Sequence, residues 1–174
     1  GVPVEGFGLD VAASSSGDAT VLAVGGPNGI RGLHSHREAD TMATIGWVLS
    51  LVREHYDIDL TRGEHRIAVD MDGLGKGVGD RLREQGCRVV EMRGNTTAQE
   101  EPNRYGNRRA EAYGQLAARL DPAQDRRPGQ TGKGFTVREK LGRSPDKADA
   151  VVYCYQAVRS TRSSMAEWVE AGAF

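Results

Sequence analysis

The first 30 residues of the chain contain neither lysine nor arginine. No run of residues is long and apolar enough to span a bilayer, and no basic start followed by an apolar stretch marks a signal peptide. There are only two cysteines, Cys87 and Cys154, each among apolar neighbours. That excludes a disulfide-dense scaffold and reads as two buried thiols in a reducing compartment. Aromatic residues make up 6% of the chain, and Trp47 and Trp168 stand singly, as packing residues do rather than base-stacking platforms. Nucleotide-cradling motifs are missing as well. The alternating glycines Gly73, Gly75, Gly77 and Gly79 break the dinucleotide pattern at Val78, and no Ser or Thr follows Lys76 as a P-loop requires. No Ser-His-Asp arrangement stands out. His34 and His36 share one side of a strand but lack a third zinc ligand of matching kind.

With 174 residues and 38% hydrophobic content, one globular domain over residues 1–174 is expected. The chain opens without Met and enters a strand almost at once, as a domain of a longer protein would. Net charge is −1, but it is unevenly spread: residues 103–143 hold ten basic side chains against four acids. The pattern predicts strands over 5–12, 19–26 and 30–36, joined by short turns. A helix over 38–55 follows, with Met42, Ile45, Val48, Leu49 and Val52 on one face. Then come a strand over 65–70, a helix over 76–85, a strand over 87–92, a loop over 94–104 and a helix over 107–120. Residues 121–136, rich in Pro, Gly, Gln and Arg, read as a mobile loop. A last helix over 144–158 would be capped by Ser144 or Asp146 and held on the sheet by Val151, Val152 and Tyr155. A hairpin meander followed by helix-linked strands predicts a mixed five-stranded sheet with helices on both faces. That is the layout of the ribonuclease-H-like fold, although pattern alone also permits other α/β sheets.

Strand alternation gives the acids their meaning. In the first strand Phe7, Leu9 and Val11 point one way, and Gly8, Asp10 and Ala12 the other. In the fourth, Ile67 and Val69 oppose Ala68 and Asp70. Both acids share their side with small residues, which leaves room for a bulky ligand. If the two strands are neighbours, the carboxylates need a cation or a shared proton between them. Asp146 and Asp149, three residues apart on the last helix, offer a further ligand. An oxygen-only set suits two Mg²⁺ or Mn²⁺ ions about 4 Å apart, which together hydrolyse a phosphodiester. The plainer alternatives are that a strand Asp serves a turn and that Asp146 is an N-cap. The glycines after Asp70 read as letting the backbone turn tightly beside its carboxylate.

The segments GFGLDVAASSSGDATVLAV, RIAVDMDGLGKGVGDRL, NRRAEAY and LGRSPDKADAVVY occur in this order. Together they resemble the nuclease domain of phage terminase large subunits, the motor proteins of DNA packaging, from residue 5 to about residue 158. The resemblance implies a ribonuclease-H-like fold and Mg²⁺- or Mn²⁺-dependent endonuclease cleavage of double-stranded DNA in the host cytoplasm. It matches Asp10 and Asp70 to the first two catalytic acids and metal ligands of the family, Asp149 to the third with Asp146 as second choice, and Asn107 and Arg108 to its Asn-Arg helix start. It implies as partners an ATPase domain of the same full-length chain, the small terminase subunit and the portal protein. No P-loop is present, so this chain does not translocate DNA by itself, and the stretch before REKLGRSPD is short and Gly/Pro-rich for the family.

Phosphate contacts are expected from Arg108 and Arg109 at a helix start, from Arg138, Lys140 and Arg143 before the last helix, and from Lys133 in the Gly-rich loop. The alternatives to a duplex-DNA nuclease are a junction-resolving or RNA-cleaving nuclease of the same fold, a non-catalytic docking module, and half of an actin-like sugar kinase, for which the chain is short.

Overall fold

The computed structural model describes residues 3–12, 19–27, 29–37, 40–120 and 146–170. The chain divides into two units, Gly1–Met92 with Asp146–Phe174, and Arg93–Pro145.

The first unit is built on five strands: β1 (Gly6–Asp10), β2 (Thr20–Gly26), β3 (Gly29–His36), β4 (Arg66–Asp70) and β5 (Arg88–Met92). Their order across the sheet is β3-β2-β1-β4-β5. The meander β1-β2-β3 is antiparallel, with a register shift at Val24/Gly25 in the β2–β3 pair. β4 joins β1 in parallel and β5 joins β4 in parallel. Such parallel pairs need helical crossovers. α1 (Thr41–Tyr56) precedes β4 and α2 (Gly75–Glu84) links β4 to β5.

The alternation expected from sequence is what packs the unit. Phe7, Leu9, Leu22, Val24, Ile67 and Val69 form one apolar cluster with Ile45, Val48 and Val52 of α1 and Val78 and Leu82 of α2. Each of these buried side chains contributes about 1.5–3 kcal/mol. The opposite side of the sheet carries Val21 and Ala23, covered by Ala150 and Cys154 of α4 (Asp146–Glu170). The mixed sheet with helices on both faces is therefore as the strand pattern required.

Several boundaries differ from the sequence pattern. α1 begins at Thr41 because the Asp40 carboxylate caps it, accepting the Met42 amide at 2.8 Å. Met42 is then 52% exposed rather than on the packed face, and Thr44 is buried instead. α1 stops where Asp57 takes a left-handed conformation and returns its amide to the Arg53 carbonyl. α4 continues to Glu170, well past residue 158, across a stretch whose polar residues (RSTRSS) give no apolar spacing to follow. Of the two expected capping residues, Asp146 is the first residue of the helix, and Ser144 lies outside the described residues, as does the loop expected over 121–136. No helix among the described residues is long and apolar enough to cross a membrane.

Within the second unit, α3 (Arg108–Leu120) is the one regular element among the described residues, and the chain before it folds onto its first turn. The Arg108 amide donates to the Thr96 carbonyl at 2.7 Å and the Arg109 amide to Gly94 at 3.1 Å.

Candidate active site

Asp10 ends β1 and Asp70 ends β4. The parallel register pairs Gly8 with Ala68 and Leu9 with Val69, so the two acids are the next residues of adjoining strands. Both lie on the side that faces α4, two residues past Gly8 and Ala68 respectively. Both are half-buried. The chain leaving β1 is tied down where the Ala12 amide donates to Thr20 Oγ1 at 3.1 Å.

Asp70 is held from two directions. Its Oδ1 accepts the Asp72 amide at 2.9 Å, and its Oδ2 accepts the Tyr153 hydroxyl, also at 2.9 Å. The glycines that follow allow this turn. Gly73 has φ +67°, and a Cβ on Gly75 would stand 1.8 Å from the Asp70 carbonyl oxygen. α2 thus starts hard against the strand end, which is the tight turning expected of these residues.

α4 runs antiparallel to β4. Tyr153 meets Asp70 at the carboxyl end of β4, while Arg66 at its amino end donates to Ser160 Oγ at 2.9 Å. Asp149, 3% exposed, lies one turn before Tyr153 on the same helix face, towards the carboxyl ends of the strands. Asp146 is the first residue of α4. The donor set is of carboxylate oxygens, which suits a hard divalent cation. The described residues nevertheless contain no group of three His, Cys, Asp or Glu side chains gathered closely enough to hold a metal ion. The structure brings Asp10 and Asp70 to neighbouring strand ends and does not close Asp149 onto them as a finished three-ligand cluster.

The sequence pattern gives Val151, Val152 and Tyr155 the packing role and does not single out Tyr153. The structure buries Val152, Tyr153, Cys154, Ala157 and Val158, whereas Tyr155 stays partly exposed beneath the Arg159 guanidinium. The spacing Asp149-Tyr153, one helical turn, is the signal that would have found it.

The basic candidates fare differently. The Arg108 side chain is only 14% exposed and its guanidinium is paired with Glu111. Glu111 is fully buried, and it also accepts the amides of Gln99, Glu100 and Glu101 at 2.9, 2.7 and 2.6 Å. Burial alone would raise the Glu111 carboxyl, but the three amides and the Arg108 guanidinium outweigh it and hold the carboxyl at about 2. Arg109 is exposed on α3. Lys133, Arg138, Lys140 and Arg143 lie outside the described residues.

His34 and His36 turn towards α1. His34 Nε2 hydrogen-bonds the Tyr56 hydroxyl at 2.8 Å, and His36 stacks on Trp47 with ring centroids 4.8 Å apart. Burial, and then the neighbouring His55, push the His34 imidazole below its usual value. These are packing roles, and no third ligand joins the pair among the described residues.

No protein-family model matches the chain, and no curated protein matches it in sequence. Solved structures do. The nuclease domain of the large terminase subunit gp2 of bacterial virus Sf6 superposes with a TM-score of 0.62 at 18% identity, over 88% of this chain and 87% of that one. A point mutant of that domain with manganese and beta-thujaplicinol gives 0.62 at 19% identity, over 88% and 87%. A mutant gp2c of the bacteriophage Sf6 large terminase subunit with calcium gives 0.61 at 19%, over 87% and 89%. The chain therefore has the ribonuclease-H-like fold found in the nuclease domain of a phage large terminase subunit.

Proposed function

We propose that this chain is a divalent-metal-dependent endonuclease that cuts double-stranded DNA during viral genome packaging. The observation that carries the reading is the pair Asp10 and Asp70, side by side at the carboxyl ends of two parallel strands, in a fold that matches a terminase nuclease domain. The neighbours solved with manganese and calcium support a divalent ion as cofactor. Asp10 and Asp70 would hold Mg²⁺ or Mn²⁺ together with Asp149, or Asp146 in its place. Two such ions, when bound, supply an activated water and charge neutralisation at the departing oxygen of the phosphodiester.

The chain's own residues set the conditions for this. Asp10 closes β1 and Asp70 closes β4, so their carboxylates stand at neighbouring strand ends. Asp149 is buried on α4 and shielded from bulk water. Carboxylates repel a DNA backbone, so cationic side chains must offset them. Arg109, with Lys133, Arg138, Lys140 and Arg143, is the set proposed to contact phosphates, and Arg108 braces the start of α3 through Glu111. In the same reading, an ATPase domain of the full-length protein, the small terminase subunit and the portal are the partners, and the host cytoplasm is the site of action.

The test is cleavage of supercoiled plasmid, linear duplex, four-way junction and RNA–DNA hybrid with Mn²⁺, Mg²⁺ or EDTA. Duplex DNA should be cut with either ion and not in EDTA, and Asp10→Asn or Asp70→Asn should abolish cutting while preserving the fold. Wild-type cleavage rates in either variant would remove the proposed site. Preference for the junction or the hybrid would reassign the substrate.

A further inference from the structure

We propose that Tyr153 is a positioning residue for the metal site, holding the Asp70 carboxylate in its ion-binding orientation from α4. The inference rests on the nuclease reading above and names a residue that reading does not need.

Tyr153 is 1% exposed, the largest fully buried side chain among the described residues. A buried phenol must give its proton to some acceptor. It gives it to Oδ2 of Asp70, while the Asp72 amide takes Oδ1. Each oxygen of a carboxylate has two lone pairs, so one donor on each still leaves room for a cation on the other pair. The two donors come from different elements, a turn and a helix. Together they fix both the rotation and the tilt of the carboxyl plane. With the phenol removed, only the local turn remains and the carboxylate can swing about its Cα–Cβ bond.

The height of Tyr153 above the sheet is itself fixed by backbone packing. A Cβ on Gly8 would lie 2.2 Å from both the Ala150 carbonyl oxygen and the Cys154 amide nitrogen. α4 therefore rests directly on β1, at the turn that bears Asp149 and Tyr153. One helix thus carries the proposed third ligand and, four residues later, the group that orients the second. Groups that orient a metal ligand from outside the coordination sphere commonly govern affinity as well as geometry.

The variant is Tyr153→Phe, which keeps the ring and removes the oxygen. Mn²⁺ binding to the 174-residue chain is measured by calorimetry and by electron paramagnetic resonance, with melting in EDTA as the measure of the metal-free fold. The expected result is a loss of about 10-fold in Mn²⁺ affinity and a raised metal requirement for cleavage. The maximal rate at saturating Mn²⁺ should be largely restored. Unchanged Mn²⁺ affinity, whatever happens to melting in EDTA, would overturn the positioning role and leave the nuclease reading standing. A wild-type chain that binds no Mn²⁺ would overturn both. Should the variant fail to fold, Mg²⁺ titration of wild-type chain carrying ¹³C-tyrosine decides the matter. The Tyr153 ring resonance should move with the midpoint of ion binding, and a resonance that stays still would refute the proposal.

Discussion

Gly8 of β1 and Cys154 of α4 pack backbone against backbone, with no room for a methyl group between them. Gly6 repeats the arrangement less tightly, a Cβ there lying 3.1 Å from Ala157 Cβ and from the Val158 amide nitrogen. The glycine side of β1 is thus the seat of α4. Gly8→Ala should cost at least the 1–3 kcal/mol typical of overpacking, or roughly 2–12 °C in melting temperature for a chain of this size. Gly46 in α1 is the control. A Cβ there would meet nothing within 4 Å, so Gly46→Ala should stabilise by about 0.5–1 kcal/mol. Equal melting temperatures for the Gly8 variant and wild type would show that α4 does not sit this close.

The two thiols should be inert in the folded protein. Cys87 and Cys154 are both free and buried. Burial, and then the nearby Asp59 charge, push the Cys87 thiol up to about 11. Burial pushes the Cys154 thiol up to about 12, and its Sγ lies 3.4 Å from the Gly6 carbonyl oxygen as a donor. Reactivity belongs to the thiolate. A disulfide reagent at pH 8 should therefore label neither cysteine natively and both after unfolding in guanidinium. Fast labelling of Cys154 without denaturant would mean that α4 lifts from the sheet.

How much of this was legible in the sequence depends on how strict each periodicity is. Strand alternation has a period of two, so Asp10 and Asp70 could be assigned to one side together with Gly8 and Ala68, and the sheet agrees. The helix ADAVVYCYQAV is apolar almost all round, so its pattern does not choose a face. The pattern offers Tyr155 for packing as readily as Tyr153, and Tyr153 is the buried one. Met42 fits the apolar spacing, but with α1 starting at Thr41 it lies in the first turn and is 52% exposed. Glu111 gave no sign at all. A single acid in a helix reads as solvated unless one knows that three successive amides from the preceding loop converge on it. Only charge points to Lys133, Arg138, Lys140 and Arg143, and charge fixes no position.

The two acids of α4 should differ in importance. Asp149 is buried on the face that carries Tyr153, whereas Asp146 is the first helical residue, where an acid also favours the helix dipole. Asp149→Asn should reduce cleavage by at least 100-fold, in line with losing a charged ligand near the top of the range for metal-site support. Asp146→Asn should reduce it by roughly 10-fold or less. Single-turnover rates on linear duplex at saturating Mn²⁺ give the comparison, and the reverse order would make Asp146 the third ligand.

Glu111 should make the second unit acid-sensitive. Its carboxyl is held at about 2, below the ordinary 4.5, by donors that bind the ionised form more strongly than the protonated one. A carboxyl with a lowered folded value binds fewer protons folded than unfolded. Its contribution to stability is therefore complete above about pH 4.5 and fades as pH falls towards 2. Glu111→Gln removes the charge and turns an amide NH₂ towards donors that need acceptors. It should cost about 3 kcal/mol near neutral pH, the low end for breaking a buried ion pair, and progressively less below pH 4.5. Native-state hydrogen exchange gives the readout at the Gln99, Glu100 and Glu101 amides, which donate to this carboxylate. Protection at these three should collapse in the Gln variant at pH 7. In the wild type it should be retained at pH 5, once corrected for the intrinsic exchange rate. If the Gln variant protects them as well as wild type, the carboxylate is not what orders the loop. The Arg108 guanidinium and the helix start would then have to do so without it.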